Sequence, residues 1–186
     1  LHFSGFLEIV LLSLPLTVDK FNNLGWSTMQ KLQLPAYTFR IREHDNKSLI
    51  FDEFRHRWVI LTPEEWVRQH FLKYLSMEKK FPRSLMAVEK KVAVNGLPQR
   101  FDLLAYDRKG NPLLVAEFKA PGIPVTQKVF VQALRYNATL KAPFFLISNG
   151  LDHFICQVDY LKQQTSYIRE IPSYDEIALI SNDQLR

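Results

Sequence analysis

The sequence predicts an α/β domain, and three observations carry that prediction. A capped amphipathic helix opens at Thr62-Pro63-Glu64-Glu65. Three strand-like runs follow it between Leu85 and Lys119, separated by turn signals. A second helical stretch, from about Thr126 to Leu140, then leads into the apolar run Phe144–Ser148. The order is helix, three strands, helix, strand, with a strand-rich tail.

Residues Gly5 to Val18 hold a short apolar run broken by Glu8 and Pro15. It is too short to span a bilayer, and no basic residue precedes it as in a signal peptide. The first methionine is Met29, so residues 1–28 are expected to be an upstream extension without functional weight. Leu49–Asp52 and Trp58–Leu61 read as a hairpin. Thr62 then serves as N-cap, Pro63 takes the first helical position and Glu65 the capping-box position. The helix presents Val67, Phe71, Tyr74 and Leu75 on one face and runs to about Lys79. Strands follow at Leu85–Val94 and Arg100–Asp107, parted by Asn95-Gly96, and at Leu113–Lys119. Pro121-Gly122-Ile123-Pro124 breaks the chain before the second helix. His153–Tyr160 alternates in polarity and, with Ser166–Ile171, reads as edge strands. Residues 29–175 thus form one domain, and 176–186 an acidic C-terminal tail.

Composition narrows the function classes. The 186 residues are 47% hydrophobic and 23% charged, enough for one domain with a real core. Cys156 is the sole cysteine, which excludes an internal disulfide framework and favours a reducing, cytoplasmic setting. Five histidines are scattered without ligand-like spacing and no cysteine pair exists, which argues against zinc. The net charge of +5 is concentrated in the middle of the chain, from Lys79 to Arg135. Such a basic centre suits a polyanion, but on charge alone a solvated lysine-rich surface is the preferred reading. There is no phosphate-loop motif and no G-x-S-x-G, and Cys156 has no base beyond His153.

The sharpest feature is Asp102 followed fifteen residues later by Glu117-Phe118-Lys119. If Lys109-Gly110 centre a tight hairpin, opposed residue numbers sum to 219, and Asp102 faces Glu117. Lys119 shares their face, two residues along the strand. Like charges opposite each other destabilise a sheet by up to about 1 kcal/mol, so a compensating cation is expected. A hard divalent cation such as Mg2+ binds one or two carboxylates, and Lys119 can steady a developing negative charge. An exposed face with simple Glu–Lys pairing is the alternative. Against it, both carboxylates interrupt strongly apolar strands. Glu64 lies in register with Val67, Phe71 and Tyr74, and serves either as a further metal-shell carboxylate or as a helix-dipole complement. Gln132 and Tyr136 share one face of the second helix, where they can hydrogen-bond a phosphate or a carboxylate, or simply pack.

In order, Glu64, Asp102, Glu117-Phe118-Lys119 and Gln132-Ala133-Leu134-Arg135-Tyr136 resemble the PD-(D/E)XK nuclease superfamily. More closely, Arg100–Leu104 and Leu114–Pro121 are similar to the strand pair of the N-terminal nuclease domain of type I restriction enzyme R proteins and its stand-alone relatives. The resemblance spans about Met29 to Tyr174, and Phe101 stands where the superfamily's name has proline. It implies a restriction-endonuclease-like fold: a mixed central sheet with an αβββαβ core flanked by two helices. It also implies Mg2+-dependent DNA endonuclease activity, with Mn2+ as possible substitute. Asp102 and Glu117 would hold the metal with Glu64, Lys119 would assist water attack, and Gln132 and Tyr136 would support the site. The partners implied are DNA and an ATP-driven translocase or restriction-complex subunit in trans, with no membrane. The alternative is a non-catalytic DNA-binding or assembly module.

Overall fold

The computed structural model describes residues 29–94, 97–126, 137 and 140–183. Their chain order is β1 (Ile41–His44), β2 (Lys47–Asp52), β3 (Arg57–Ile60), α1 (Pro63–Met77), β4 (Met86–Val94), β5 (Leu97–Tyr106), β6 (Pro112–Phe118), β7 (Phe144–Ser148), β8 (His153–Asp159), β9 (Gln164–Ile168) and α2 (Tyr174–Asp183). The result is an α/β fold with two sheets. One is a three-stranded antiparallel sheet, β1-β2-β3. The other is six-stranded in the order β4-β5-β6-β7-β8-β9, mixed because β6 and β7 run parallel while its other pairs are antiparallel. The helix expected from Thr126 to Leu140 lies almost wholly outside the described residues, although Asn137 and Leu140 are helical.

Helix α1 starts as its sequence dictates. The Glu65 N–H donates to Thr62 Oγ1 at 3.1 Å, and Pro63 sits at the first position. The reciprocal half of a capping box is not made, because the Glu65 side chain turns to Arg55, Arg68 and Gln69. The helix ends at Met77, two residues short of the expected boundary, and Lys80 then takes a left-handed φ of 61°. Val67, Phe71 and Leu75 are fully buried, and every residue from Glu65 to Leu72 is buried. A helix enclosed on nearly all sides is wedged between layers. Phe39 packs on Trp66 and His70 from one side, and Phe118 of β6 packs on Phe71 from the other. Gly150, at φ 83°, lets the chain after β7 approach this helix. A Cβ there would lie 3.0 Å from Val67 Cγ2 and 2.7 Å from Leu32 Cδ2.

The central sheet is covered by apolar residues on both faces. Leu103, Ala105, Leu114, Ala116, Phe118, Phe144 and Leu146 join the core shared with α1. Leu104, Val115, Phe145, Ile147 and Cys156 form a second core on the opposite face. Strand β1 was not anticipated, but Asp45 and Asn46 form the two-residue turn joining it to β2, both at positive φ. The acidic stretch beginning at 176 continues α2, whose Ile177 is fully buried, so its first turns are packed structure.

The β5–β6 hairpin corrects one expectation while preserving its consequence. The turn is not centred on an unbulged Lys109-Gly110 pair. Asp107 organises a five-residue loop: its carboxylate accepts the N–H groups of Lys109 and Asn111, both at 2.8 Å, and Gly110 takes φ 86°. Tyr106 then pairs with Pro112, a register summing to 218. A bulge between Ala105 and Tyr106 leaves Leu113 unpaired and resets the register, so that Ala105, Leu104 and Leu103 face Leu114, Val115 and Ala116. The sum returns to 219 before the site is reached. Two departures cancel.

Candidate functional site

Asp102 sits where β4 and β5 exchange the faces they present to the two cores. Along β5, Phe101 packs into the second core, whereas Leu103 and Ala105 pack into the first. Along β4, Val92 joins the second core, while Met86 and Val88 join the first. Residues two or four apart on a regular strand share a face. Both strands therefore roll over between these residues, at Glu89 and Asp102. Glu89 takes a φ of 54° there, a conformation that costs a non-glycine residue energy. Ladder pairing of β5 with β6 ends at Leu103–Ala116. Beyond it the Asp102 side chain takes over, accepting the Phe118 N–H at Oδ2 over 2.7 Å. Asp102 thus bridges the two strands beside Glu117 through its carboxylate rather than through its backbone.

Glu117 lies within hydrogen-bonding reach of that carboxylate. Burial, and after it the Asp102 charge, pushes the Glu117 carboxyl up to about 8, with Lys119 and Arg68 pulling it down. Lys119 Nζ stands 4.0 Å from Glu117 Oε2, with its side chain 34% exposed. The three residues singled out in the sequence are therefore together, and the carboxylate pair is as strained as the register implied. A testable consequence follows from the raised Glu117. Its folded value lies above its ordinary value of 4.5, so the stability it contributes is complete below about 4.5 and lost as pH rises through about 8. In chelator, the melting temperature of the wild type should fall relative to Glu117→Gln between these limits. Parallel melting curves for the two proteins would contradict this.

One cation at the site was not anticipated. Arg68, on α1, is buried and directs its guanidinium at four carboxylates. Its Nη2 donates to Asp102 Oδ1 at 2.7 Å and lies 3.1 Å from Glu89 Oε1 and 3.3 Å from Glu64 Oε1, while Nη1 binds Glu65. These carboxylates hold the Arg68 guanidinium firmly protonated against its burial. The network continues outward: Glu65 also accepts from Arg55 and Gln69, Arg55 binds Asp52, and Arg100 Nε meets Glu89 at 2.9 Å. Part of the repulsion expected between Asp102 and Glu117 is thus offset from within the protein. A signal for Arg68 existed, since it lies three and four residues beyond Glu65 and Glu64, the spacing of helix ion pairs. Glu89 had none, because its position depends on the twist of β4.

The remaining expected residues divide. Glu64 does not point inward; its side chain is 45% exposed and reaches the site through Arg68. Gln132 and Tyr136 lie outside the described residues. Among the described residues, no three of His, Cys, Asp and Glu are grouped as a metal cage. Asp102 and Glu117 nonetheless fit a hard cation. Asp102 Oδ1 accepts from Arg68 and Oδ2 from the Phe118 N–H, and a carboxylate oxygen has a further lone pair to offer a cation. Glu117 stands beside it, held protonated by burial and by the Asp102 charge. Mg2+ characteristically takes one or two carboxylates and keeps its waters. Other titratable groups suit structural roles. Burial pushes the Cys156 thiol up to about 12, so it is no thiolate nucleophile, and holds His70 down to about 4, with its Nδ1 on Trp66 O.

The fold has a solved counterpart. A fragment assigned as an HsdR subunit of a type I restriction enzyme from Vibrio vulnificus YJ016 superposes with a TM-score of 0.51 at 22% identity. The match covers 67% of this chain and 26% of that one, so the present chain spans a minor part of that molecule. The family model for the type I restriction enzyme R protein N terminus (HSDR_N) matches residues 63–172, more than half of the chain. The chain belongs to this family. The match begins at the start of α1 and includes Glu64, Arg68, Glu89, Asp102, Glu117 and Lys119. No curated protein matches the chain. No helix of the described residues is long and apolar enough to cross a membrane.

Proposed function

We propose that this domain is a Mg2+-dependent nuclease that hydrolyses DNA phosphodiester bonds, with a site of the PD-(D/E)XK type on a restriction-endonuclease-like core. The observation that carries this reading is buried Asp102 beside half-buried Glu117, with Lys119 4.0 Å from Glu117. Asp102 and Glu117 would hold the ion, with Glu64 as the further carboxylate. When bound, Mg2+ supplies Lewis-acid stabilisation of phosphate charge and acidifies water. Lys119, on the exposed side of the pair, positions the attacking water and offsets charge developing on the phosphate. Arg68 fixes the Asp102 carboxylate in place, so that little reorganisation is needed when the ion enters. Gln132 and Tyr136, in the helix expected from about Thr126 to Leu140, would support the site. The phosphate backbone would be held mainly by basic side chains of the central region, with affinity falling steeply with salt. Within a larger assembly, the proposed partner is an ATP-driven translocase in a reducing, cytoplasmic setting.

A second reading draws on Arg68. A guanidinium already engaging Asp102 suits a domain that binds DNA, or assembles a complex, without metal chemistry. Calorimetric titration separates the two. The nuclease reading expects Mg2+ or Mn2+ to bind with proton release, because Glu117 must ionise, and Asp102→Asn to abolish the heat. No binding of either ion to the wild type would favour the metal-free module.

A further inference from the structure

The three-stranded sheet has a face that the core does not use. Ile41, Ile50 and Val59 turn inward and pack with the main core. The residues alternating with them belong to neither core: Arg40 and Arg42 before and within β1, Leu49 and Phe51 on β2, Trp58 and Ile60 on β3. Register makes them two rows, Arg42–Leu49–Ile60 and Arg40–Phe51–Trp58. The Arg40 guanidinium lies 3.6 Å over the Phe51 ring and Arg42 lies 4.3 Å over Trp58. The two rings meet edge to face at 5.4 Å. Among the described residues neither arginine has an ion pair, Ile60 is 53% exposed, and Lys47 extends the same face. No carboxylate takes an outward position on these strands.

We infer that this face binds a single-stranded segment of nucleic acid, its bases stacking on the Arg40–Phe51 and Arg42–Trp58 layers and its phosphates meeting the two guanidiniums. The chemistry is specific. A ring covered by a guanidinium presents a flat cationic plane, and unpaired bases stack on aromatic rings and arginine planes alike. The five N–H groups of each arginine remain for phosphate oxygens. A paired duplex keeps its bases stacked inside and cannot use these planes, so discrimination for single strands is built in. The face also leads toward the carboxylate site. Ile60, at the end of its row, is four residues before Glu64, no more than about 14 Å along the chain. Only this last step rests on the nuclease reading; the binding face itself does not.

The test is fluorescence anisotropy of a short labelled oligothymidylate, and of a duplex of equal length, with the full chain in EDTA. The double variant Arg40→Ala/Arg42→Ala should bind the single strand about tenfold more weakly. The slope of log affinity against log salt should shrink by about 1.4, for two phosphate contacts on a single strand. Arg40→Lys/Arg42→Lys should keep that slope yet lose single-strand preference, because an ammonium cannot stack. Unchanged single-strand affinity in the alanine variant, with an unchanged melting curve, would overturn the inference. So would a wild-type dimer that the alanine variant dissolves without loss of oligonucleotide binding, since the face would then belong to a second copy. The nuclease reading fails separately, by absence of Mg2+-dependent cleavage, which EDTA binding does not measure.

Discussion

Replacing Arg68 with alanine is expected to lower the stability of the domain by about 3–5 kcal/mol, the range for removing one partner of a buried ionic network. The magnitude follows from what is left behind. The Arg68 side chain is 6% exposed, and its partners Glu65, Glu89 and Asp102 are at 7%, 11% and 11%. Truncation leaves three carboxylates with little water and one fewer countercharge. Arg55 and Arg100 continue to serve Glu65 and Glu89, but Asp102 loses its guanidinium partner and keeps the Phe118 N–H. A surface pair sets the contrast: Arg83 binds Glu53 at 3.0 Å with its own side chain 51% exposed. Arg83→Ala should therefore cost less than about 1 kcal/mol. Urea denaturation of both variants checks the difference, and equal losses would show that the Arg68 network is not a buried one.

The second large effect falls on activity. Lys119→Ala and Glu117→Ala are each expected to reduce Mg2+-dependent cleavage by about 10²–10³-fold, the usual cost of losing one group that stabilises transition-state charge. The stability change should have the opposite character from that at Arg68. Lys119 is partly exposed and contributes little packing. Glu117 is held in a protonated state by burial next to Asp102, so its removal relieves rather than creates electrostatic strain in the metal-free protein. Glu117→Ala should thus melt at or above the wild-type temperature at alkaline pH while losing cleavage. A residue whose loss inactivates without destabilising belongs to function rather than to the fold. Single-turnover cleavage, together with melting curves, reads both effects; loss of activity accompanied by equal loss of stability would assign Glu117 to the fold.

These expectations show where the sequence was informative. Helix α1 was legible because Thr62-Pro63 fixes its start and Val67, Phe71 and Leu75 fix its buried stripe. The Asp102–Glu117 apposition was legible too, although by a fortunate route, since a longer Asp107 loop and the Leu113 bulge offset each other. The rolling-over of β4 and β5 was not legible. It requires Glu89 to hold a positive φ, which nothing in Val88-Glu89-Lys90 announces. Arg68 was missed for a different reason. A charged residue between Val67 and Gln69 reads as the solvent side of a helix, and only enclosure between two sheets makes that side interior. Strand β1 could have been found, since Phe39 and Ile41 alternate with Arg40 and Arg42 before an Asp-Asn turn. Gln132 and Tyr136 rest on their sequence spacing and on the resemblance.

The most direct test of the central claim is nicking of supercoiled plasmid by the purified chain across Mg2+, Mn2+, Ca2+ and EDTA, with Asp102→Asn and Glu117→Ala run beside it. The expected result is cleavage by the wild type in Mg2+ and Mn2+, none in EDTA, and cleavage by either variant slowed by at least about 10²-fold. Cleavage that survives EDTA, or that both variants perform at the wild-type rate, would contradict a metal-dependent site built on Asp102 and Glu117.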